Sequence, residues 1–380
     1  MLKRQIYWML LLSLLGFASC GDDDNVGFVE KTSLIQFDFP QGNDPWDKEI
    51  EQIAKDWDMY IIYKDIDSTH LNQMWTNPIY YDPIYVGKQV SNEEVQIYLN
   101  LIKEWLLGSL DINKQADKDQ LPYYFYILND FNDGNPRSRT YQKNHVRIKK
   151  DGFNYWSLSF TTEELEAGLT PEIIHNVACA YSYPGLKVRF QSGEYKVAPE
   201  FASISDYEGK IGLRYYSMEA WLEDNSWAVG IPDVETMYEN YTNADERDPV
   251  NAYQRRGFAP QITESFKVAG NYGCPTWMPW IPIFSFPNPD GSIFEVTRNP
   301  DERNLPDVEG RVLQDFLNMI RLAMFYTEET VREKFPVDVE DPLVQSGNQK
   351  INEKYDLVVK YMKEAYNIDL PKYAAILEGE

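Results

Sequence analysis

The sequence predicts an α+β fold in which a mixed sheet is followed by a helix-rich C-terminal half. Strand signals concentrate before residue 161, where they include an aromatic run over 122–128 and the hairpin signal Asp151-Gly152. Helical periodicity dominates afterwards, most clearly over 308–327 and 348–366. Strands concentrated in the first half, ahead of the most helical part of the chain, are typical of the α+β class.

Length and composition predict a well-packed, acidic protein. The chain has 380 residues, of which 43% are hydrophobic and 14% aromatic, so it can bury a large core. Its 60 acidic and 36 basic residues give a net charge of −24, which repels nucleic acid and anionic membranes at long range. We therefore expect no nucleic-acid partner. No repeat and no linker is evident beyond residue 32, so 33–380 is predicted to be a single domain.

Residues 1–19 are predicted to be a lipoprotein signal peptide. Lys3 and Arg4 supply a basic start, and the apolar run over 6–17 is shorter than a membrane-spanning helix requires. Small residues then precede Cys20, although a phenylalanine occupies the position three residues earlier, where leucine is more usual. This ending resembles a bacterial lipobox, which implies cleavage before Cys20 and acylation of its thiol.

Residues 20–32 are predicted to be an acidic tether between the lipid anchor and the folded domain. The stretch Gly21-Asp22-Asp23-Asp24-Asn25 resembles the surface-export signals of lipoproteins in Bacteroidetes-type bacteria. It is also compatible with a solvated linker that is repelled by the membrane. The expected location is the bacterial outer membrane, with the chain lipid-anchored and exposed at the cell surface.

Local signals predict the elements before residue 161. Asp44 is a helix cap followed by proline at the first helical position, and Ser91 opens a second helix with a regular apolar stripe. Runs of aromatic and β-branched residues predict strands. The strands are predicted at 33–39, 59–63, 122–128, 145–148 and 153–160, with irregular segments at 72–89 and 129–136.

A further helix is predicted between Leu169 and Pro184. Thr170 is its cap and Pro171 its first residue, whereas Tyr183-Pro184-Gly185 is expected to end it. Beyond it the chain is irregular, with short helices. The proline-rich stretch over 274–289 cannot be a regular helix.

The helix at 169–184 carries a pattern that suggests a metal site. His175 and Cys179 are four residues apart and therefore share one face, which is the spacing that lets two helical side chains hold one zinc ion. In the familiar His-Glu-x-x-His motif, the glutamate takes a proton from the zinc-bound water. Here Asn176 occupies the position of that base, and Cys179 that of the second histidine.

Several stretches together resemble the zinc-binding metallopeptidase family of surface lipoproteins common in gut Bacteroidetes. Two of these stretches are the His-Asn-x-x-Cys helix and the strand at 59–63. The others are Phe39-Pro40-Gln41-Gly42, Arg256-Gly257-Phe258-Ala259-Pro260 and the closing segment over 350–370, which ends in Ile-Asp-Leu. The resemblance covers roughly residues 33 to 373. It implies a zincin-like metallopeptidase fold and zinc as the cofactor.

The same resemblance, taken residue by residue, implies a degenerate site. His175 keeps the first ligand position, Asn176 and Cys179 depart from the motif, and Asn318 stands where a later glutamate is expected. Asp315 is a candidate substitute ligand. Loss of the general base alone removes a factor of about 10²–10⁴ in rate. We therefore expect a pseudoenzyme that has lost zinc.

Two hypotheses from different classes remain open. The first is an inactive surface lipoprotein that binds a peptide or glycan, with Trp277 and Trp280 as candidate contacts. The second is an active zinc-dependent peptidase with non-standard ligands, in which Cys179 binds as a thiolate. A purely structural role is the simplest interpretation of both motif residues: His175 as a hydrogen-bonded helix histidine and Cys179 as a buried apolar side chain. Pairing between Cys179 and Cys274 is undecided by spacing.

Overall fold

The computed structural model describes residues 35–73, 85–133, 144–208, 218–242, 254–259, 285–287, 293–295 and 307–379. The signal peptide, the tether with Cys20, Cys274, Trp277 and Trp280 lie outside these residues, so the expectations for them stay predictions, as does the single domain. Among the described residues, no helix is both long enough and apolar enough to cross a membrane.

A five-stranded mixed sheet forms the first half of the described structure, and the predicted α+β class is confirmed. Its strands are β1 (Tyr60–Ile62), β2 (Val86–Lys88), β3 (Tyr124–Asn132), β4 (Ile148–Lys149) and β5 (Tyr155–Phe160). β3 is central: it pairs in parallel with β1 and β5, and antiparallel with β2. All nine residues of β3 are buried, and the predicted strand over 122–128 is confirmed for Tyr124–Leu128.

Helices lie between the strands along the chain and make up most of the second half of the described structure. They are α1 (Pro45–Trp57), α2 (Ser68–Leu71), α3 (Asn92–Leu101), α4 (Gln115–Lys118), α5 (Thr162–Ala167), α6 (Pro171–Gln191), α7 (Met218–Asp224), α8 (Val234–Tyr241), α9 (Val308–Phe325), α10 (Glu328–Lys334), α11 (Pro342–Tyr366) and α12 (Pro371–Glu378). α3 continues as a π-helical turn (Ile102–Leu106) and a 3₁₀ turn (Leu107–Ser109). A separate antiparallel pair is formed by β6 (Ser285–Pro287) and β7 (Ile293–Glu295).

The helices predicted after Asp44 and Ser91 are confirmed as α1 and α3. Asp47 Oδ2 accepts a hydrogen bond from Asp44 N at 2.8 Å, and Glu94 Oε2 accepts one from Ser91 N at 2.6 Å, so both helices begin with a capping box. The apolar stripes of both helices face the core. In α3 and its π-helical turn, the buried members are Val95, Tyr98, Leu99, Ile102 and Leu106.

The predicted strand at 33–39 is wrong for its described part, since residues 35–39 form no strand. The backbone of this segment bonds to a side chain rather than to a strand edge: Gln36 N donates to the Tyr124 hydroxyl at 2.9 Å. Phe37 packs its ring against Tyr124 and Tyr126, at centroid distances of 5.4 and 5.8 Å. The alternating pattern therefore reflects anchoring of a loop by an aromatic side chain.

Two segments expected to be irregular are partly strand. Asn129–Asn132 extends β3, because the polar side chains there find partners: the amide of Asn129 donates to Glu94 at 2.8 Å, and that of Asn132 to Asp130 O at 2.9 Å. Val86–Lys88, within the predicted excursion over 72–89, forms β2 along the same part of β3. Of the strand predicted over 145–148, only Ile148 lies in β4, which forms the expected hairpin with β5, and His145 makes an isolated bridge with Asn132.

α6 starts as predicted but does not stop at Pro184. It runs on to Gln191, with the proline inside the helix. Proline has no N–H, so the carbonyl four residues earlier, Ala180 O, loses its helical partner. Lys150 Nζ replaces it by donating to Ala180 O at 2.7 Å. A side chain from the β4–β5 hairpin thus satisfies the backbone group that the proline leaves unpaired.

We expect Tyr98→Phe to lower the free energy of unfolding by about 1–3 kcal/mol. The Tyr98 hydroxyl accepts from Phe160 N at 3.1 Å and lies within donating distance of Leu128 O and Asn129 Oδ1, at 2.8 and 2.7 Å. Its loss leaves a buried N–H without an acceptor. Urea denaturation measures the effect, with the hydroxyl of the exposed Tyr241 removed as the control. Stabilities of Tyr98→Phe and Tyr241→Phe within about 0.5 kcal/mol of each other would contradict the prediction.

Candidate functional site

The first half of α6 brings two of the predicted site residues together. Thr170 Oγ1 accepts from Ile173 N at 3.4 Å, which fixes the start of the helix and the direction of its faces. His175 and Cys179 then lie on one buried face, with Cys179 Sγ 3.4 Å from His175 Nε2. Both residues are almost fully buried, at 1% and 0% exposure. The spacing argument for a shared face is therefore confirmed.

His175 uses its Nε2 atom to bind the end of another helix. Nε2 lies 2.8 Å from Met324 O, which belongs to the last turn of α9. A carbonyl oxygen can only accept, so Nε2 carries the proton and has no lone pair to offer a metal ion. The ring also packs edge-on against Phe325, at a centroid distance of 4.6 Å. Burial lowers the pKa of His175, although the hydrogen bond to Met324 opposes that shift, and the neutral ring is favoured.

Cys179 is a free, buried cysteine. Burial raises the pKa of its thiol far above the ordinary range, against a smaller opposing effect of the Arg321 charge. The thiol is therefore protonated at neutral pH, whereas zinc binds the thiolate. Asn176 is half-buried, on the part of α6 next to this face.

The predicted site residues of α9 have other partners. Asp315 is wholly buried, and its Oδ2 accepts from Lys354 Nζ at 2.5 Å and from the Tyr207 hydroxyl at 2.7 Å. Asn318 is also buried and donates through Nδ2 to Ala259 O at 3.0 Å. Among these described side chains, no hydrogen bond joins Asp315 or Asn318 to the His175–Cys179 pair.

A buried ion pair thus occupies the region where a further carboxylate ligand is expected. Lys354 and Asp315 both have 0% side-chain exposure, and Lys354 also donates to Gly257 O at 2.9 Å. The Lys354 ammonium lies 4.5 Å from the centroid of Phe258. Burial lowers the pKa of Lys354, while the charge of Asp315 opposes that shift. The charge of Asp315 is therefore neutralised by a protein cation, while its Oδ1 atom makes no hydrogen bond within the described structure.

The residues present do not fit the zinc ion that the family resemblance implies. Such a site needs three protein ligands with free lone pairs. Here His175 Nε2 is a donor, the Cys179 thiol is protonated, and Asp315 pairs through Oδ2 with Lys354, which leaves only its Oδ1 without a partner among the described residues. Within the described part of the chain, no three His, Cys, Asp or Glu side chains gather closely enough to hold a metal ion.

Sequence reasoning missed Lys354 and Tyr207 as partners of Asp315. A signal for Lys354 was present, because it lies among the buried residues Ile351, Tyr355 and Val358 of an amphipathic helix. A lysine on the apolar face of a helix needs a counter-charge, and this one finds it on α9. Nothing comparable marked Tyr207, which lies in an irregular segment.

Comparison with known proteins does not identify a family for this chain. No protein-family model matches the chain, and no curated protein matches it. Among solved structures, it is similar to a crystal structure described as a "putative zinc-binding metallo-peptidase" from Bacteroides caccae, with 10% sequence identity and a TM-score of 0.33 over 89% of this chain and 93% of that one. Values this low do not establish a shared fold, so the zincin-like architecture stays a prediction.

We expect Lys354→Met to destabilise the protein by about 3–5 kcal/mol, because it leaves the Asp315 carboxylate buried without its cation. The double variant Lys354→Met/Asp315→Leu should recover most of that loss, since neither charge then remains. Denaturant titration gives both values, and Lys360→Met, which removes an exposed lysine of the same helix, serves as the control. A double variant as unstable as the sum of its two single variants would show that the pair is not coupled.

Proposed function

We propose that this chain is a catalytically inactive, metallopeptidase-like lipoprotein, anchored through Cys20 in the outer membrane and exposed at the bacterial surface. The main support for a loss of activity is one hydrogen bond, which His175 Nε2–H donates to Met324 O. The nitrogen that would bind zinc instead caps the end of α9. In this proposal the helix with the zinc-like pattern is a structural element.

The chemistry of the remaining groups supports this proposal. Hydrolysis of a peptide bond in the zincin manner needs a metal-activated water and a base to take its proton. Asn176 is a neutral amide and cannot take that proton, which removes a factor of about 10²–10⁴ in rate. The nearby guanidinium of Arg321, 5.2 Å from the centroid of the Tyr183 ring, adds positive charge that disfavours a second cation beside Cys179.

An exposed aromatic surface supports a binding role. Trp227 and Tyr241 are 55% and 63% exposed, and both pack against the buried Trp221, at centroid distances of 6.2 and 6.1 Å. We call these three residues the aromatic surface. An exposed tryptophan and tyrosine on a rigid base are typical of recognition sites.

The charge around the aromatic surface favours a cationic peptide as the ligand. Residues 218–242 contain acids at positions 219, 223, 224, 233, 235 and 239 and no lysine, arginine or histidine. All six acids are exposed. Acidic side chains attract a basic peptide, and its lysine or arginine groups gain further energy over the faces of Trp227 and Tyr241.

Zinc content tests the loss of the metal site. We expect the purified mature chain, made soluble by Cys20→Ser, to contain well below one zinc per chain by elemental analysis after incubation with zinc and desalting. His175→Gln, which keeps a side-chain donor for Met324 O, and Cys179→Ala should leave that content unchanged. About one zinc per chain that both variants lose, together with peptidase activity abolished by a chelator, would favour an active zinc peptidase with non-standard ligands.

Peptide binding tests the aromatic surface. We expect Trp227→Ala and Tyr241→Ala each to weaken binding of a fluorescent arginine- and lysine-rich peptide by about 2- to 5-fold in an anisotropy titration. Val337→Ala, which trims an exposed apolar side chain elsewhere, is the matched control. If neither substitution changes the affinity for the peptide, the aromatic surface is not the peptide-binding site. If the chain instead binds a neutral oligosaccharide and Trp227→Ala weakens that binding, the ligand is a glycan.

A further inference from the structure

A cavity of ≈ 240 Å³ lies beside the second half of α6. Its walls come from α6, from the end of the α3 segment, from residues 120–121 and from the β4–β5 hairpin. Neither His175 nor Cys179 lines it. The lining residues used below are Leu106, Lys150, Trp156, Tyr181, Leu186 and Arg189.

The cavity owes its shape to Pro184 and Gly185, which both line it. Gly185 has no side chain, and a Cβ built there would meet only Gln120 Oε1, at 3.9 Å. The proline places Lys150 at the cavity wall, because Ala180 O needs a donor from outside the helix. Lys150 Nζ lies 4.9 Å from the centroids of both the Trp156 and Tyr181 rings.

The charges on the cavity wall are unbalanced. Its lining includes Lys150 and Arg189 and no acid. Arg189 is neutralised by Asp117 and Glu194, at 2.5 and 3.3 Å. For Lys150, no carboxylate among the described residues lies within ion-pair distance. An apolar cavity in a chain of net charge −24 thus carries one ionisable amine without a counter-charge among the described residues.

A second polar group at this wall lacks a partner. The hydroxyl of Tyr181 is buried and makes no hydrogen bond within the described structure. A buried hydroxyl without a partner costs free energy that a ligand can recover. Lys150 has three N–H bonds, of which the contact with Ala180 O uses one. The Lys150 ammonium can only donate, and the Tyr181 hydroxyl can donate as well as accept, so an acceptor atom on a ligand would satisfy both groups.

We propose that this cavity binds a small apolar carboxylic acid, with its carboxylate at Lys150 and Tyr181 and its aliphatic or aromatic body against Trp156, Leu106 and Leu186. The carboxylate supplies the absent counter-charge and accepts from both donors. The cavity is smaller than the ~300–1,000 Å³ of drug-sized sites, which limits the ligand to a fragment such as a free acid or the last residue of a peptide. This inference is independent of whether zinc binds.

Desolvation supports the assignment. Burial of the ammonium lowers the pKa of Lys150 to about 7, so it costs free energy to keep this group charged in the cavity wall. A bound carboxylate would favour the charged form and return the pKa towards its ordinary value. The ligand and the proton on Lys150 therefore stabilise each other.

Calorimetric titration of the mature chain tests the proposal with 3-phenylpropionate and its neutral analogue 3-phenylpropan-1-ol. We expect the acid to bind about tenfold or more tightly than the alcohol. Lys150→Met should abolish that difference, and Gly185→Leu, which fills the cavity from a helical position, should remove binding of both. Lys187→Met, an exposed lysine on the same helix, is the control and should bind as the unaltered chain does.

Two controls distinguish loss of binding from loss of folding. Because Lys150→Met also leaves Ala180 O without its donor, circular dichroism checks its folding, and Gly185→Leu provides a second test that keeps Lys150. Equal binding of acid and alcohol, or binding that survives Gly185→Leu, would overturn the proposal. A peptide ending in phenylalanine, compared with its C-terminal amide, distinguishes a peptide terminus from a free acid as the source of the carboxylate.

Discussion

Packing of α6 against its neighbours places backbone carbonyl groups where they need donors, and side chains supply them. His175 donates to Met324 O at the end of α9, Ser182 Oγ to Trp105 O in the π-helical turn, and Lys150 Nζ to Ala180 O within α6 itself. The last four carbonyls of a helix lack helical partners, and a carbonyl opposite a proline lacks one too. These three bonds connect α6 to α9, to the α3 segment and to the β4–β5 hairpin, so the helix organises both halves of the fold.

The same constraint decides what the candidate site can do. A neutral imidazole has one donor and one acceptor nitrogen, and in His175 the nitrogen facing Cys179 is the donor. A role as a cap and a role as a metal ligand therefore compete for Nε2. The cap is reinforced by the buried surroundings, where a lost hydrogen bond to Met324 O would cost about 1–3 kcal/mol. The pairing of Asp315 with Lys354 works in the same direction, because it gives the candidate carboxylate a protein cation as its partner.

Features that depend on local sequence were predictable, and those that depend on distant partners were not. Capping residues and apolar stripes gave α1 and α3, and four-residue spacing gave the shared face of His175 and Cys179. The partner of His175 lies 149 residues away along the chain. The donor to Ala180 O, the carbonyl that loses its helical partner because of Pro184, lies 30 residues away. No local pattern contains either. For this reason the predicted end of the helix at Pro184 was wrong. For the same reason, the spacing of His175 and Cys179 suggested a zinc site although their side chains do not have the protonation states that zinc needs.

The two halves of α6 are consequently under different constraints. The first half is fixed by the contact with α9, so changes at His175 should act on stability and leave the cavity intact. The second half is fixed by Pro184, whose missing N–H draws Lys150 to the wall of an apolar cavity. A lysine recruited to satisfy a backbone carbonyl brings an ionisable amine where a neutral donor would have been enough. Since no acid lines this cavity, the charged form of Lys150 has no counter-charge among the lining residues. An anionic ligand can supply that counter-charge.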